Sequence, residues 1–239
     1  MDGILLIDKP QNFTSFDIVK KIRNLTHIKK VGHGGTLDPM ATGILPIFLG
    51  AATKKVKYFI NGDKGYIAEM TLGILTDTLD ADGKITKKSK VIIDNLEDKI
   101  KQVFKEFTSE INQVPPMFSA VHHKGRRLYE LARAGKTVER EPRRVTIHKL
   151  ALKELSDGIN PQVTFEILCS KGTYIRSLVS DIGERLGPGA HLSKLVRTYS
   201  HPFLLSQALS LETIEDLIKI GKLSSVIIDP HEMLEKNSE

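Results

Sequence analysis

The chain has 239 residues, of which 40% are apolar and 27% are charged, and it contains one cysteine, Cys169. This length is sufficient to bury a large hydrophobic core. The sequence has no apolar run of the ~18 residues that a membrane-spanning helix needs. A single cysteine also excludes an internal disulfide framework. We therefore expect a globular protein of the reducing cytoplasm, without a secretory leader and without a membrane partner.

The positive charge of the chain is concentrated in one segment. The formal net charge is +6. All of this excess lies between Val121 and Leu150, where the sequence contains nine Lys or Arg residues and three Glu residues. A charge run is most often a solvated surface. Its concentration in one segment that also contains Tyr129 favours a nucleic acid as the partner.

The first half of the chain predicts strands and helices in irregular order. A buried strand is predicted over residues 3–8, and apolar residues at helical spacing predict a helix that begins at Thr14-Ser15. We expect a second helix over 51–60, a strand over 66–75 and an amphipathic helix over 96–107. This mixture lacks the regular alternation of a doubly wound sheet, so it indicates an α+β fold or a mixed sheet with helices packed on it.

The second half contains an insertion between predicted sheet elements. Pro115 and Pro116 precede the basic segment and Pro142 follows it, so residues 115–143 are expected to form an inserted arm with a short helix that ends at Gly135. The other elements predicted here are strands over 145–150, 163–168 and 195–198 and helices over 174–186 and 211–220.

Residues 31–50 form a glycine-rich segment that places one carboxylate, Asp38, ahead of an apolar strand. Glycine allows the backbone to approach a ligand closely, and Pro39 biases Asp38 toward an extended conformation. A ligand-binding turn and an ordinary turn closed by an Asx side chain fit this segment equally well.

Other types of site find little support in the sequence. The acidic segment 77–83 puts Thr78 and Ser89 where an EF-hand needs carboxylates, so we expect an acidic turn there. The histidines lack the spacing of zinc ligands, and Asp38 has no second acid in its motif for two-carboxylate hydrolysis. Ser/His/Asp chemistry stays open, without a GxSxG motif to support it. We therefore expect no metal and no cofactor.

A single catalytic carboxylate in a site that excludes water requires a nearby cation, because desolvation disfavours its charged form. Arg176 and Arg197 are the candidates, since both have apolar neighbours in the sequence. Either also fits an ordinary surface position. Arg176 lies at the start of a predicted helix, where the helix dipole disfavours a cation, so a specific partner for Arg176 is indicated.

Several short segments occur along the chain in an order that is typical of one protein family. From residue 3 to about residue 203 they are GILLIDKP with Thr14-Ser15, VGHGGTLDPMATG, Gly65-Tyr66, Gly73 to Gly83, QVPPMFSA, KGTYIR and GAHL. In sequence and order they resemble the TruB family of bacterial tRNA pseudouridine-55 synthases. The resemblance implies a mixed, mainly antiparallel sheet flanked by helices, with an inserted RNA-clamping thumb over about 122–145.

The same resemblance implies roles for individual residues. Asp38 is the catalytic aspartate, Tyr66 stacks on the target base, and Arg176 pairs with Asp38. His33 contacts the T-loop of the tRNA at the space left by the flipped uridine. Further substrate contacts are implied for Lys9, Gly34, Thr36, Tyr174 and Arg197 and for the thumb residues Arg126, Arg127, Arg143 and Arg144.

The sequence departs from the family pattern at three places. Asn12 stands where glycine is usual, which a turn tolerates because Asn adopts the left-handed conformation readily. Val196 stands at a usual arginine, and His201 stands where glycine usually precedes Pro202. Arg197 matches the second arginine of the family pattern.

The resemblance also implies a domain organisation and a function. We expect one catalytic domain over residues 1–223 and a short tail over 224–239, without the C-terminal PUA domain that many relatives carry. The implied function is the isomerisation of uridine 55 in the tRNA T-loop by a monomer that uses no guide RNA. Whether Asp38 attacks the sugar or the base, or removes a sugar proton, stays open.

Two alternative functions stay in view. A non-catalytic RNA chaperone could use the same basic arm, although it has no need of a carboxylate such as Asp38 facing polyanionic RNA. A synthase directed by a guide RNA and partner proteins, as in archaeal and eukaryotic relatives, would keep the same chemistry. The compact chain without a PUA domain argues against this second alternative.

Overall fold

The structure is a computed structural model that describes residues 1–235. The predicted tail over 224–239 therefore lies partly outside the described residues. In chain order the elements are β1 (Gly3–Lys9), α1 (Ser15–Thr26), β2 (Val31–His33), β3 (Thr42–Leu49), α2 (Val56–Phe59), β4 (Lys64–Leu72), β5 (Ile74–Thr76), β6 (Ile85–Lys88), α3 (Leu96–Phe107), β7 (Glu110–Gln113), β8 (His122–His123), β9 (Arg126–Arg127), α4 (Leu128–Arg133), β10 (Arg143–Leu155), β11 (Gln162–Cys169), α5 (Ile175–Leu186), β12 (Ala190–Ser200), β13 (Phe203–Leu204), α6 (Leu211–Lys219) and α7 (Pro230–Glu235).

The chain divides into two compact units. The first unit contains Met1–Tyr66 and the chain from Leu195 onward, and the second unit contains Ile67–Lys194. The unit boundaries fall inside strands β4 and β12. The single catalytic domain expected over residues 1–223 stays a prediction.

The sheet of the first unit is built around β3. This strand pairs antiparallel with β1 and β2, and it pairs parallel with β12 at Arg197 and Gly43. Side chains of a strand point alternately to the two faces of its sheet. Leu5 and Ile7 of β1 accordingly pack in the core that includes α1 and α6, whereas Ile4 and Leu6 pack in the core on the opposite face. Burial on both faces explains why β1 and β3 are continuous apolar runs.

Helix α1 begins where the sequence predicts. The Thr14 hydroxyl accepts a hydrogen bond from the Asp17 backbone N–H at 3.0 Å, and the Asp17 carboxylate accepts one from the Thr14 N–H at 3.0 Å. This reciprocal capping box satisfies two N–H groups that the start of a helix leaves unpaired. Ile18 and Ile22 on its inner face are fully buried.

In the second unit β4, β11, β10 and β7 are successive neighbours, and β10 pairs antiparallel with both β11 and β7. Val163, Phe165 and Ile167 alternate with more exposed residues along β11. The centres of the Phe165 ring and of the Phe104 ring on α3 lie 5.1 Å apart. This contact packs α3 against the sheet. Pairing in the two units is mainly antiparallel with helices on the sheet, so the predicted α+β class is confirmed.

Two predicted elements differ from the structure. Residues 51–60 do not form one α-helix: Gly50–Lys55 is a 3-10 helix, and only Val56–Phe59 is α-helical. At the start of this tighter turn the Ala51 N–H donates to the Asp2 carboxylate at 2.8 Å, which satisfies a backbone donor that a helix start leaves unpaired. The strand predicted over 66–75 is divided, because Gly73 adopts φ +78° between β4 and β5.

The inserted arm contains more structure than the sequence predicts. Besides the expected short helix, α4, it contains the two-residue strands β8 and β9, which form a hairpin. The Tyr129 N–H donates to the Ser119 carbonyl at 3.0 Å, and Leu131 of α4 is buried. Gly135 follows α4 with φ +70°, as predicted for its C-terminal end. Arg143 and Arg144 lie on β10, so the arm proper ends at Pro142.

Candidate active site

Asp38 lies in the loop between β2 and β3, and backbone hydrogen bonds fix the path of this loop. The Gly34 N–H donates to the Pro46 carbonyl at 2.8 Å. The Leu37 N–H donates to the buried Ser15 hydroxyl of α1 at 2.8 Å. The loop is therefore attached to β3 before Asp38 and to α1 immediately before it.

Close packing requires two glycines of the glycine-rich segment, Gly34 in the loop and Gly43 in β3. Gly43 has φ +101° and lies opposite Arg197 in the parallel pair, where a Cβ would overlap the Arg197 backbone. A Cβ on Gly34 would lie 2.9 Å from the ring of Phe48, closer than carbon atoms approach. The glycine-rich pattern thus allows β12 and Phe48 to pack against the two ends of the Asp38 loop.

Arg197 is the main side-chain support of this loop. It is 1% exposed. Its Nε donates to the Ile44 carbonyl at 2.8 Å, and its Nη1 and Nη2 lie 3.4 Å from the carbonyls of Thr36 and Gly35. Burial lowers the pKa of Arg197, and interaction with the side chain of Tyr66 opposes this shift. Arginine nevertheless stays cationic in proteins, so a buried positive charge lies beside the loop.

Lys9 places a second buried cation beside the same loop. Its Nζ donates to the carbonyls of Phe13 at 2.7 Å, Pro10 at 2.9 Å and Pro39 at 3.3 Å. Burial lowers the pKa of Lys9 from 10.5 to about 8, and the negative charge of Asp38 raises it in opposition. At neutral pH the ammonium therefore donates to the residue that directly follows Asp38.

Asn12, which stands where the family pattern has glycine, also helps to hold the Asp38 loop. Asn12 has φ +67°, which confirms the left-handed conformation expected where relatives carry glycine. Its backbone N–H donates to the Pro39 carbonyl at 2.9 Å. The turn after β1 and the loop of Asp38 are therefore held together both by this bond and by Lys9.

His33 and Tyr66 complete the residues that the first unit brings near this loop. Burial and the charge of Arg197 lower the pKa of His33, and a backbone interaction with Gly35 opposes them. This direction of the shift favours the neutral imidazole at pH 7. A contact of His33 with RNA stays a prediction. Tyr66 lies in β4 and is buried, and its side chain interacts electrostatically with Arg197.

The structure thus gathers Lys9, His33, Asp38, Tyr66 and Arg197 around one loop. The sequence resemblance implied substrate contacts for Lys9 and Arg197, whereas the structure shows their charged groups bonded to backbone carbonyls of the protein. Both residues therefore position the loop. A direct contact of either one with RNA stays a prediction.

Arg176 belongs to the second unit and is 4% exposed in the first turn of α5. Its Nη2 donates to the Phe118 carbonyl at 2.8 Å and its Nη1 to the Thr78 carbonyl at 3.1 Å. Nη1 also lies 3.5 Å from a carboxylate oxygen of Asp80. The expectation that Arg176 has specific partners is confirmed, and its pairing with Asp38 stays a prediction.

Asp80 is a residue that the sequence did not single out. It is buried in the acidic turn after β5, where its carboxylate accepts hydrogen bonds from the Thr78 hydroxyl at 2.5 Å and the Asp82 N–H at 3.2 Å. These bonds orient the carboxylate that lies beside Arg176. Two features of the sequence together could have identified Asp80: Arg176 requires a specific partner, and the acidic turn supplies carboxylates.

The thumb arginines are exposed, as a nucleic-acid contact requires. Arg126 and Arg127 lie on β9, and Arg143 and Arg144 lie at the start of β10. Arg144 is 3.3 Å from a carboxylate oxygen of Glu110. The guanidinium of Arg127 lies 5.9 Å from the centre of the Tyr129 ring. Tyr174, the other second-unit residue of the predicted site, is the N-cap residue of α5.

The family of the chain follows from comparison with known sequences. The family model described as "TruB family pseudouridylate synthase (N terminal domain)" matches residues 23–175. The chain belongs to the TruB family. The model described as "tRNA pseudouridylate synthase B C-terminal domain" matches residues 176–234 of this TruB chain.

Two similar proteins are named tRNA pseudouridine synthase B. The one from Geobacillus thermodenitrificans is 47% identical to this TruB chain over 95% of the chain and 76% of its own length. The one from Geobacter sulfurreducens is 44% identical over 98% of the chain and 76% of its own length. The resemblance stated from the sequence is thereby confirmed, and the chain is a pseudouridine synthase by family.

Solved structures support the fold. A chain in the crystal structure of a Cbf5-Nop10-Gar1 complex aligns with a TM-score of 0.71 at 33% identity, covering 93% of this TruB chain and 56% of the solved one. A chain in an H/ACA RNP bound to a substrate RNA containing 2'-deoxyuridine aligns with a TM-score of 0.71 at 31% identity, covering 97% and 60%. This chain therefore spans a little over half of each solved chain.

The structure also bears on two other features considered from the sequence, a membrane-spanning helix and a calcium loop. In residues 1–235 of the TruB chain, no helix has both the length and the apolar character to cross a membrane. The segment 77–83 was compared above with a calcium loop. Its buried carboxylate, that of Asp80, accepts hydrogen bonds from Thr78 and Asp82 and lies beside Arg176. The acidic turn expected there is confirmed.

Proposed function

We propose that this chain isomerises uridine 55 in the T-loop of tRNA to pseudouridine, with Asp38 as the catalytic carboxylate. Membership of the TruB family supports the reaction class, and the names of the similar proteins support tRNA as the substrate. The main observation in support of this proposal is the fixed conformation of the Asp38 loop. Hydrogen bonds of its backbone and the buried cations Lys9 and Arg197 hold the loop in place.

The reaction rearranges atoms within one nucleotide. The glycosidic C–N bond breaks, the uracil rotates, and its C5 bonds to the same sugar carbon. C5 then loses its proton and N1 gains one, so the reaction is balanced without an oxidant, a reductant or added water. The target base must leave its stack, at a cost of a few kcal/mol. A ring such as Tyr66 stacks on an extruded base. A rigid site that excludes water also protects the detached base from loss by hydrolysis.

Asp38 acts in this scheme as an ionised group. A carboxylate in a site closed to water needs fixed positive charge and hydrogen-bond donors in place of solvent. Lys9 and Arg197 supply positive charge behind the loop, and Arg176 is proposed to pair with the carboxylate directly. The atom on which Asp38 acts is left to the experiment.

Purified protein incubated alone with an unmodified tRNA transcript tests this function. We expect pseudouridine at position 55, and we expect none in a transcript that carries cytidine at that position. The site is mapped by carbodiimide modification and primer extension.

Each alternative function gives a different result. A non-catalytic RNA chaperone binds the transcript and leaves every uridine unchanged. An enzyme directed by a guide RNA modifies the transcript only after a guide RNA and partner proteins are added. Pseudouridine at another position of the transcript contradicts the T-loop assignment while supporting the reaction class.

We propose in addition that the exposed thumb arginines bind phosphate groups of the tRNA. Replacing all four by alanine should weaken binding and flatten its salt dependence. Each lost phosphate contact lowers the slope of log K against log salt by about 0.7 to 0.9, so four contacts correspond to about 3. The dissociation constant is measured by filter binding across a salt series. The replaced residues are Arg126, Arg127, Arg143 and Arg144.

A matched variant separates phosphate contact from a general loss of charge. Four exposed lysines elsewhere in the second unit can be replaced by alanine for this purpose, namely Lys99, Lys101, Lys105 and Lys153. This control changes net charge by the same amount and should keep a slope closer to that of the wild type. Parallel salt lines for the wild type and the arginine variant would exclude a phosphate contact by the thumb.

A further inference from the structure

The end of β7 is bonded to the start of α5 through one side chain, Gln113. The Tyr174 N–H donates to Oε1 of Gln113 at 2.7 Å, and Nε2 of Gln113 donates to the Tyr174 carbonyl at 3.0 Å. Gln113 is 1% exposed. The oxygen and the nitrogen of the Gln113 amide are therefore both bonded to the backbone of Tyr174. These two bonds fix the separation between the end of β7 and the start of α5.

This arrangement anchors the N-cap residue of α5 by its own backbone groups. Tyr174 is the N-cap residue, and its own side chain makes no capping bond. Most helices use a Ser, Thr, Asp or Asn at this position. In the KGTYIR segment the backbone of Tyr174 itself is bonded to an amide from a residue 61 positions earlier in the chain. The position of the first turn of α5 is thus set by β7.

Two further bonds connect the same two segments. The Ser177 hydroxyl donates to the Val114 carbonyl at 3.0 Å. The Arg176 guanidinium donates to the Phe118 carbonyl at 2.8 Å. Residues 113–118 form the root of the inserted arm, since they lead from β7 into the thumb. The root of the thumb and the turn that carries Arg176 are therefore joined at three successive points.

We propose that Gln113 is a positioning residue that couples the root of the thumb to Arg176. The inference rests on the proposed function, in which the thumb binds tRNA and Arg176 serves the reaction. A shift of residues 113–118 when RNA binds is transmitted to Tyr174 and hence to the adjacent guanidinium. Without Gln113 the thumb still binds RNA, but Arg176 is no longer held in its productive orientation.

The test is Gln113→Met, which keeps the length of the side chain and removes both hydrogen bonds. We expect the single-turnover rate on pre-bound tRNA to fall by on the order of 10- to 100-fold, because small misplacements of a catalytic group have effects of that size. The dissociation constant of tRNA should change by less than about twofold, since the phosphate-binding residues are untouched.

Asn160→Leu is the matched control. The Asn160 side-chain amide also bridges two backbone groups of the second unit, the carbonyls of Leu72 at 3.0 Å and Ser89 at 2.8 Å. Its loss should lower the Tm of the protein as much as the loss of Gln113 does. A purely structural role for Gln113 therefore predicts equal rates in the two variants, whereas positioning predicts a slow step only in Gln113→Met.

Ser177→Ala is a milder variant that keeps the proposal testable if Gln113→Met does not fold. It removes one of the three bonds and should slow the same step by a smaller factor with unchanged binding. A wild-type rate in a folded Gln113→Met, or in Ser177→Ala where Gln113→Met does not fold, would overturn the inference. Failure of the proposed function is distinguishable, since the wild-type protein would then form no pseudouridine.

Discussion

Replacing Asp38 with asparagine should abolish pseudouridine formation and leave tRNA binding intact. Asparagine keeps the shape of the side chain and removes the negative charge, so the carboxylate that we propose as catalytic is lost with little change in volume. We expect the single-turnover rate to fall by about 10⁴-fold or more, the size of effect seen when an essential catalytic group is removed. Binding should stay equal or become slightly tighter, because one negative charge facing polyanionic RNA is lost.

The fold of this variant should survive, because the bonds that hold the loop use backbone groups. Leu37 is bonded to Ser15, and the carbonyls of Gly35 and Thr36 face Arg197 whatever residue stands at position 38. Asp8→Asn removes one exposed carboxylate from the same unit and should keep the wild-type rate. Pseudouridine above trace amounts from Asp38→Asn would remove Asp38 from the central role.

The parts of the site that the sequence predicted are those set by local signals. The glycines and Pro39 around Asp38 describe the conformation of a short stretch, and Thr14 with Asp17 defines the start of α1 by a bond across three residues. Alternating burial along β11 is likewise a property of one strand. Such features depend on neighbours in the sequence and can be read from them.

The sequence named Arg197 as a candidate cation for Asp38, but the backbone contacts by which Arg197 and Lys9 support the Asp38 loop could not be predicted in this way. Lys9 reaches Pro39 across 30 positions, and Arg197 reaches Ile44 across 153. A lysine at the end of an apolar strand and an arginine beside leucine and valine fit a surface position as well as a buried one. Only the folded backbone shows that carbonyl oxygens surround both charges and stabilise their burial.

The same limit applies to Asp80 and to the helix predicted over 51–60. Asp80 was read as part of an acidic turn because its cation, Arg176, lies 96 positions away in the sequence and makes its contact only after folding. The spacing of 51–60 fits a helix, yet Gly50–Lys55 forms 3-10 turns, and the Ala51 N–H at their start is bonded to the Asp2 carboxylate 49 positions away.

Replacing Arg176 with lysine should slow the reaction by on the order of 10²-fold or more, although the positive charge is kept. The guanidinium donates in separate directions to Thr78 and Phe118 and lies beside Asp80. A lysine ammonium is a point charge without this planar fork and cannot hold a carboxylate in bidentate fashion. Burial also disfavours a charged lysine, so part of the positive charge is lost at neutral pH. Single-turnover kinetics with pre-bound tRNA measure the effect, and the dissociation constant should stay within about twofold.

Arg185→Lys provides the control for this substitution on the same helix. Arg185 is exposed near the end of α5 and pairs with Glu106 at 2.6 Å, a surface ion pair that contributes little to stability. Its replacement makes the same chemical change at a distance of more than two helical turns from Arg176. A normal rate in Arg185→Lys with a slow step in Arg176→Lys assigns the effect to the buried fork. Near-normal turnover in Arg176→Lys would instead contradict the predicted pairing with Asp38, because any buried cation would then serve and bidentate geometry would have no part in the reaction.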